Sequence, residues 1–344
     1  MVEVTLPTRS NRKAGLQTFA NQLEALVREI GMKLSSRGWA YQLEGFNLIT
    51  KDKFDVVENI INECRKKGYL PVDFTAEEEA RKFAGIEIPE TDTIPEYLKS
   101  FISATLNSAE YYTPEWWDGE EYYIQMLVEK IDVKNLFYPT AHKYHIPIAT
   151  SKGWSSIIQR AEYSKRFKKA EDLGLKCVLL YCGDHDPDGL RISNTIRKNL
   201  HDIENVYWND GTRGYDPTNL IIDRFGLNYN FIIENKLTWI DNLITGTGKN
   251  LASPTHRNYN LPYVQNYLGN YGARKCEANA LIKEKIAGKQ LCIDSIEKYL
   301  RKDALDRFKK KRQAIRDETN EFFGKTGLDG TLRAAIDLID EEEE

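Results

Sequence analysis

The residues with the clearest chemical potential are acidic. Asp184, Asp186 and Asp188 alternate in Asp184-His185-Asp186-Pro187-Asp188-Gly189, which follows the apolar run 177–182. Glu129, 55 residues earlier, follows a strand candidate, 122–128. Aspartates at alternate positions of a turn can aim two oxygens at one point. Hard oxygen ligands of this kind suit Mg²⁺, which keeps several waters and takes few protein carboxylates. Without a cation, their mutual repulsion raises at least one carboxylate pKa. Asp-Pro-Asp-Gly is also a good turn former, so the loop alone fits a plain turn as well.

Other metal and nucleotide motifs fit less well. Asp184, Asp186, Asp188 and Gly189 match the first, third, fifth and sixth positions of an EF-hand loop. However, Thr195 stands where the bidentate glutamate belongs, and a strand former precedes the loop. Gly246-Thr247-Gly248-Lys249 lacks the upstream glycine of a P-loop, and Asn250 replaces its Ser or Thr. His142 and His145 make only a short pair, and Cys177 and Cys182 fall in a buried-strand pattern, so zinc is not expected.

These carboxylates need a scaffold, and the periodicity supplies one. After Gly119 the pattern alternates: strand 122–128, helix 132–144, strand 146–150, helix 155–170, strand 177–182, helix 188–203, strand 220–222. Alternation of this kind predicts a mostly parallel, doubly wound sheet, whose chemistry collects at the carboxyl ends of the strands. Glu129 and the Asp184–Asp188 loop both lie there.

The N-terminal part reads differently. Leu16, Phe19, Leu23, Leu26, Ile30 and Leu34 recur at helical spacing, predicting one amphipathic helix over 13–35. A short helix over 37–45 follows, then a third capped by Thr50 and ending at Gly68, then a short strand over 69–74. Three helices and an extended segment outline a winged helix-turn-helix, used to address DNA and also in protein-binding modules.

Composition bounds the function. The chain has 344 residues, 41% hydrophobic and 29% charged, which excludes a disordered chain or a disulfide-stapled miniprotein. No apolar run approaches the ~20 residues of a membrane-spanning helix, and Met1 to Arg12 lack a secretory signal's apolar stretch. Five cysteines without a CxxC pair suggest reduced thiols and a cytoplasmic location. A net charge of −4 gives no global attraction for nucleic acid, so any DNA contact must come from local patches such as Arg160–Lys169 and Lys309–Arg312. Charge shifts from 11 Lys/Arg against 8 Asp/Glu over residues 1–72 to 3 against 13 over 73–121. The shift marks a module boundary and an acidic connector with one helix over 94–108. Residues 229–271, rich in Gly, Asn and aromatics, carry no chemistry that can be assigned.

With these residues in view, the sequence resembles a Toprim domain, the metal-binding fold shared by topoisomerases, bacterial-type primases and some nucleases. The resemblance rests on Leu127-Val128-Glu129-Lys130 and on the Asp184–Gly189 motif. Thr150-Ser151-Lys152-Gly153-Trp154 and Arg274-Lys275-Cys276-Glu277-Ala278-Asn279-Ala280-Leu281 resemble segments of one branch. That branch comprises the type IIB topoisomerase (topoisomerase VI) A subunit, the meiotic double-strand-break protein and the mini-A proteins. It implies an α/β chain: a winged helix over 1–75, an acidic connector over 76–118, a Rossmann-like Toprim domain over 119–290, and C-terminal helices with an acidic tail over 291–344. Primases fit less well, since neither a zinc ribbon nor a nucleotide-binding module precedes the Toprim-like region.

The branch carries a DNA-cleaving tyrosine four residues after an arginine, matched here by Arg37-Gly38-Trp39-Ala40-Tyr41. Gly38, Trp39 and Ala40 depart from its commoner pattern, and Tyr41 also fits a structural aromatic. The resemblance implies that Tyr41 attacks a DNA phosphodiester, leaving a 5′-phosphotyrosyl link. Arg37 would hold the phosphate, and Glu129 would take part in catalysis. Mg²⁺, or Mn²⁺ in its place, would be held by Glu129, Asp184 and Asp186, with Asp188 assisting. A free phenol has a pKa near ~10, so the attack requires activation. Lys152, Arg160, Lys165 and Arg166, with the basic run Lys309–Arg312, are the phosphate contacts expected. The resemblance further implies a homodimer, with the tyrosine of one protomer serving the metal site of the other, and allows a separate ATPase B subunit. Two alternatives stand beside this: a hydrolytic Toprim nuclease in which water attacks, and a non-catalytic DNA-binding protein of a mobile element.

Overall fold

In the computed structural model, residues 4–8, 10–71, 74–76, 92–151, 157–206, 214–244 and 248–343 are described. The chain divides into two compact units. Residues 1–81 and 121–299 form one; residues 82–120 and 300–344 form the other.

The first unit begins with three helices, α1 (Arg12–Ile30), α2 (Ser36–Gly45) and α3 (Phe54–Lys66). Leu16, Phe19, Leu23 and Leu26 are buried, as the helical spacing requires. The helix stops at Ile30 rather than 35 because Gly31 adopts a left-handed conformation, φ 70°, and its N–H closes the last turn on Val27. Leu34 is buried from outside the helix. Ser35 caps α2, its hydroxyl accepting from the Gly38 N–H. Thr50 precedes a short 3-10 turn leading into α3 rather than capping α3 directly. Among the described residues of 69–74 there is no strand, so the extended segment expected there is not seen.

The remainder of the unit is α/β. Strands β1 (Tyr122–Val128), β2 (Ile148–Thr150), β3 (Lys176–Cys182) and β4 (Ile221–Gly226) form one parallel sheet in the order β2-β1-β3-β4. All but the first residue of β1 and of β3 are buried, which explains their largely apolar sequences; Gln125, the polar exception in β1, donates to the Tyr163 carbonyl at 3.1 Å. Each large apolar side chain so placed is worth about 1.5–3 kcal/mol. The intervening helices are α6 (Ile131–Lys143), α7 (Ile157–Asp172) and α8 (Ile192–His201). Short α9 (Tyr229–Glu234) and α10 (Pro262–Tyr271) follow β4, and α11 (Lys285–Glu297) packs on α6.

The second unit is helical: α4 (Ile94–Leu106), α5 (Ser108–Tyr111), α12 (Ala304–Thr326) and α13 (Leu328–Glu343). Thr93 and Glu96 form a capping box that starts α4, with Pro95 in the first turn. The acidity of the connector is answered inside this unit. Glu110 pairs with Arg312 and Arg316, Asp118 with Lys311, and Glu120 with Arg307. Among the described residues, no helix is long and apolar enough to cross a membrane.

Candidate functional site

The order β2-β1-β3-β4 reverses direction between β1 and β3, and in such sheets ligands bind in the crevice beyond the strand ends at that point. The register pairs Val128 with Cys182, so Glu129 and Gly183 leave the sheet side by side. The Glu129 N–H donates to the Cys182 carbonyl at 2.9 Å. In return, Glu129 Oε2 accepts from the Asp184 N–H at 2.7 Å. Two carboxylates 55 residues apart in sequence are thereby brought together by strand register alone.

The loop after β3 is held from several directions. Gly189 donates its N–H to Asp186 Oδ1 at 2.6 Å, and a Cβ at Gly189 would stand 2.2 Å from the Asp184 carbonyl oxygen. Glycine closes this loop because no side chain fits. Ala278 N–H donates to Asp184 Oδ1 at 2.7 Å. The Arg224 guanidinium of β4 donates to the carbonyls of Asp184, Gly189 and Leu227 at 2.9–3.0 Å. His185 is buried, and its backbone exchanges hydrogen bonds with Cys276. Its ring lies 4.8–6.3 Å from the rings of Tyr229, Trp239, Tyr267 and Tyr271, and the Tyr267 hydroxyl donates to its carbonyl. The aromatic segment 229–271 therefore braces the aspartate loop. Asp188 is exposed and accepts from the Tyr263 hydroxyl at 3.0 Å.

Glu129, Asp184, Asp186 and Asp188 line one cavity of about 450 Å³, together with Lys130, Lys275 and Glu277. The Lys130 ammonium sits between two of the carboxylates, 3.1 Å from Glu129 Oε1 and 3.0 Å from Asp184 Oδ2. Burial, followed by the charge of Glu129, pushes the Asp184 carboxyl up to about 7. Burial likewise raises Asp186. Burial also works upward on Glu129, but Lys130 and the Asp184 N–H outweigh it and hold that carboxyl below its ordinary range. Lys130 is equally near both carboxylates, so the deeper burial of Asp184 and the Asp184 N–H given to Glu129 set the two apart.

The set fits a divalent cation by its chemistry: hard oxygens, partly buried, at a sheet switch point, with an ammonium between two of the carboxylates. It is not the tightest cluster of ligand atoms. Among the described residues, His201, Glu204 and Asp216 place one ligand atom each within 4.8 Å of one another, on an exposed surface. The sequence did not single them out, and nothing buries or desolvates them.

Tyr41 lies in the same unit and is fully buried. Its hydroxyl donates to Glu277 Oε2 at 2.6 Å, and its ring packs edge-on against Phe54 with the Lys51 ammonium 4.6 Å from its centroid. Burial and the Glu277 charge push its pKa far above the ordinary phenol value. Arg37 donates to Glu58 at 3.0 Å and reaches Glu277 Oε2 at 4.0 Å. The i, i+4 pair thus meets at Glu277, a residue 236 positions from Tyr41 that sequence reasoning placed only inside a resembling segment. Glycine at position 38 has a local cause. A Cβ there would lie 2.7 Å from the Asp132 carboxylate, which accepts from the Ser35 N–H and hydroxyl and from Asn279.

The expected phosphate contacts divide. Arg160 donates to the Asn199 carbonyl of α8, bracing two helices, and Arg166 pairs with Glu162 at 3.7 Å. Lys165 is half-buried. Lys152 lies outside the described residues. Lys311 and Arg312 are paired with acidic partners of the helical unit, and Lys309 with Asp306. No protein-family model, curated protein or solved structure matches the chain.

Proposed function

We propose that the chain is a Toprim-type enzyme that cleaves DNA phosphodiesters with a divalent cation, Mg²⁺ or Mn²⁺, held by Glu129, Asp184 and Asp186. The observation that carries this is the convergence of the three carboxylates, from the ends of β1 and β3, on one cavity with a cation already between two of them. When bound, the metal would supply Lewis-acid polarisation of the phosphate and a template for the scissile segment. The chain itself aims the carboxylates through Arg224, Ala278 and Gly189, and offers Lys130 and Lys275 along the cavity as cations for a phosphate to meet.

Water is the attacking group this geometry supports best. Its oxygen adds to phosphorus, the bond to the leaving oxygen breaks, and the water's proton ends on that oxygen. Tyr41 is closed off by burial and committed to Glu277, so a tyrosine route requires α2 to release the phenol. That second route, taken within one chain, draws support from one fact. Glu277, the acceptor of the Tyr41 hydroxyl, lines the acidic cavity of the same chain.

The test is incubation with supercoiled DNA and Mg²⁺ or Mn²⁺, followed by denaturation. Hydrolysis gives nicked or linear DNA with the wild type and with Tyr41→Phe, none with Asp184→Ala, and no attached protein. A covalent adduct lost in Tyr41→Phe would establish the tyrosine route. Absence of metal-dependent cleavage, or its survival in Asp184→Ala, overturns both.

A further inference from the structure

Lys130 directly follows Glu129 and begins α6 from extended backbone, φ −121°. Its ammonium bridges Glu129 Oε1 and Asp184 Oδ2, the two carboxylates that register brings together. An ammonium and a divalent cation cannot both occupy that gap, since like charges a few ångströms apart repel strongly in a partly buried site. Lysine carries its charge on a flexible four-carbon stem, so it can leave without moving the backbone. Two cavities, of about 450 and 270 Å³, adjoin it, and both are lined by Glu129, Lys130 and Glu277.

We propose that Lys130 is a tethered counter-ion that the divalent cation must displace, so that metal loading is an exchange rather than the filling of a vacant site. This rests on the assignment of Glu129 and Asp184 as metal holders. The exchange keeps the acidic rim ordered without metal and weakens metal binding by competition. It also frees an ammonium beside the place a phosphate would take, so phosphate and metal should bind more tightly together than apart.

The test is Mn²⁺ binding to the full chain, by calorimetry and by electron paramagnetic resonance of the free ion, with thermal melting beside it. Lys130→Met should bind Mn²⁺ about tenfold more tightly than the wild type, a difference readily resolved. Lys130→Arg, which keeps the charge, should stay near wild type. Metal-free Lys130→Met should melt below the wild type and gain more from Mn²⁺. If that variant shows no cooperative transition without metal, Mn²⁺ should restore one, and failure to do so overturns the proposal. Equal or weaker binding by Lys130→Met, or tight binding by Lys130→Arg, also overturns it. Asp184→Asn reports separately: abolished binding leaves the metal-site assignment standing, while undiminished binding removes the assignment itself.

Discussion

Two groups of potential metal ligands lie on the α/β unit, and they are built in opposite ways. His201, Glu204 and Asp216 are exposed and close-set, with ligand atoms within 4.8 Å of one another. Glu129, Asp184 and Asp186 are more open but sit at the strand ends, where burial raises two of the three and an ammonium already mediates between Glu129 and Asp184. Distance alone would select the first group. Desolvation selects the second, because charges partly removed from water gain far more from a cation than charges screened by solvent. A candidate site is recognised by the electrostatic work its scaffold has already done.

The sharpest way to break this contrast is substitution in each group. Asp184→Ala should lower metal-dependent cleavage by about a thousandfold, the several kcal/mol of barrier lowering that a held cation supplies. Asp216→Ala should leave the rate unchanged in the same plasmid assay. Equal losses would erase the distinction.

Support for the buried rim can be tested through stability. Gly38→Ala should destabilise, because overpacking against the Asp132 carboxylate, about 1–3 kcal/mol, exceeds the gain of about 1 kcal/mol from alanine's better helix propensity. Chemical denaturation measures it, and a more stable variant would contradict the packing described. Tyr41→Phe removes the donor to Glu277 and should cost about 1 kcal/mol or somewhat more, the loss of one hydrogen bond to a largely buried carboxylate.

The smallest effect concerns pH. Burial pushes Glu277 up, but the Tyr41 hydroxyl and the charges of Lys51, Lys130 and Arg37 hold its carboxyl below the ordinary 4.5. A depressed pKa adds stability above the unfolded value, and that stability is lost as pH falls through the folded one. Glu277→Gln should therefore flatten the acid limb of the stability profile below about pH 4.5. A limb as steep as wild type would place the acid sensitivity elsewhere.

Much of this was legible in the sequence because strands buried on both faces are largely apolar. The run 122–128 coincides with β1, and 177–182 lies within β3, so the meeting of Glu129 with the Asp184 loop could be anticipated. What escaped depends on side-chain direction or on remote partners. Lys130 reads as an ordinary charge until its stem turns back between two carboxylates. Arg224 reads as a strand residue, yet it clamps three loop carbonyls. Glu277 meets Tyr41 and Arg37 only through the fold, so the arginine–tyrosine spacing alone could not reveal the carboxylate that both face. In the basic run of α12, Lys311 and Arg312 pair with Asp118 and Glu110, partners about 200 residues away that spacing along the chain does not reveal.

The most direct measurement is the anomalous difference map of crystals soaked in Mn²⁺. It should show a peak among Glu129, Asp184 and Asp186, with the Lys130 ammonium withdrawn from between them. A peak confined to His201, Glu204 and Asp216, or Lys130 still bridging its two carboxylates at saturating Mn²⁺, would contradict the account.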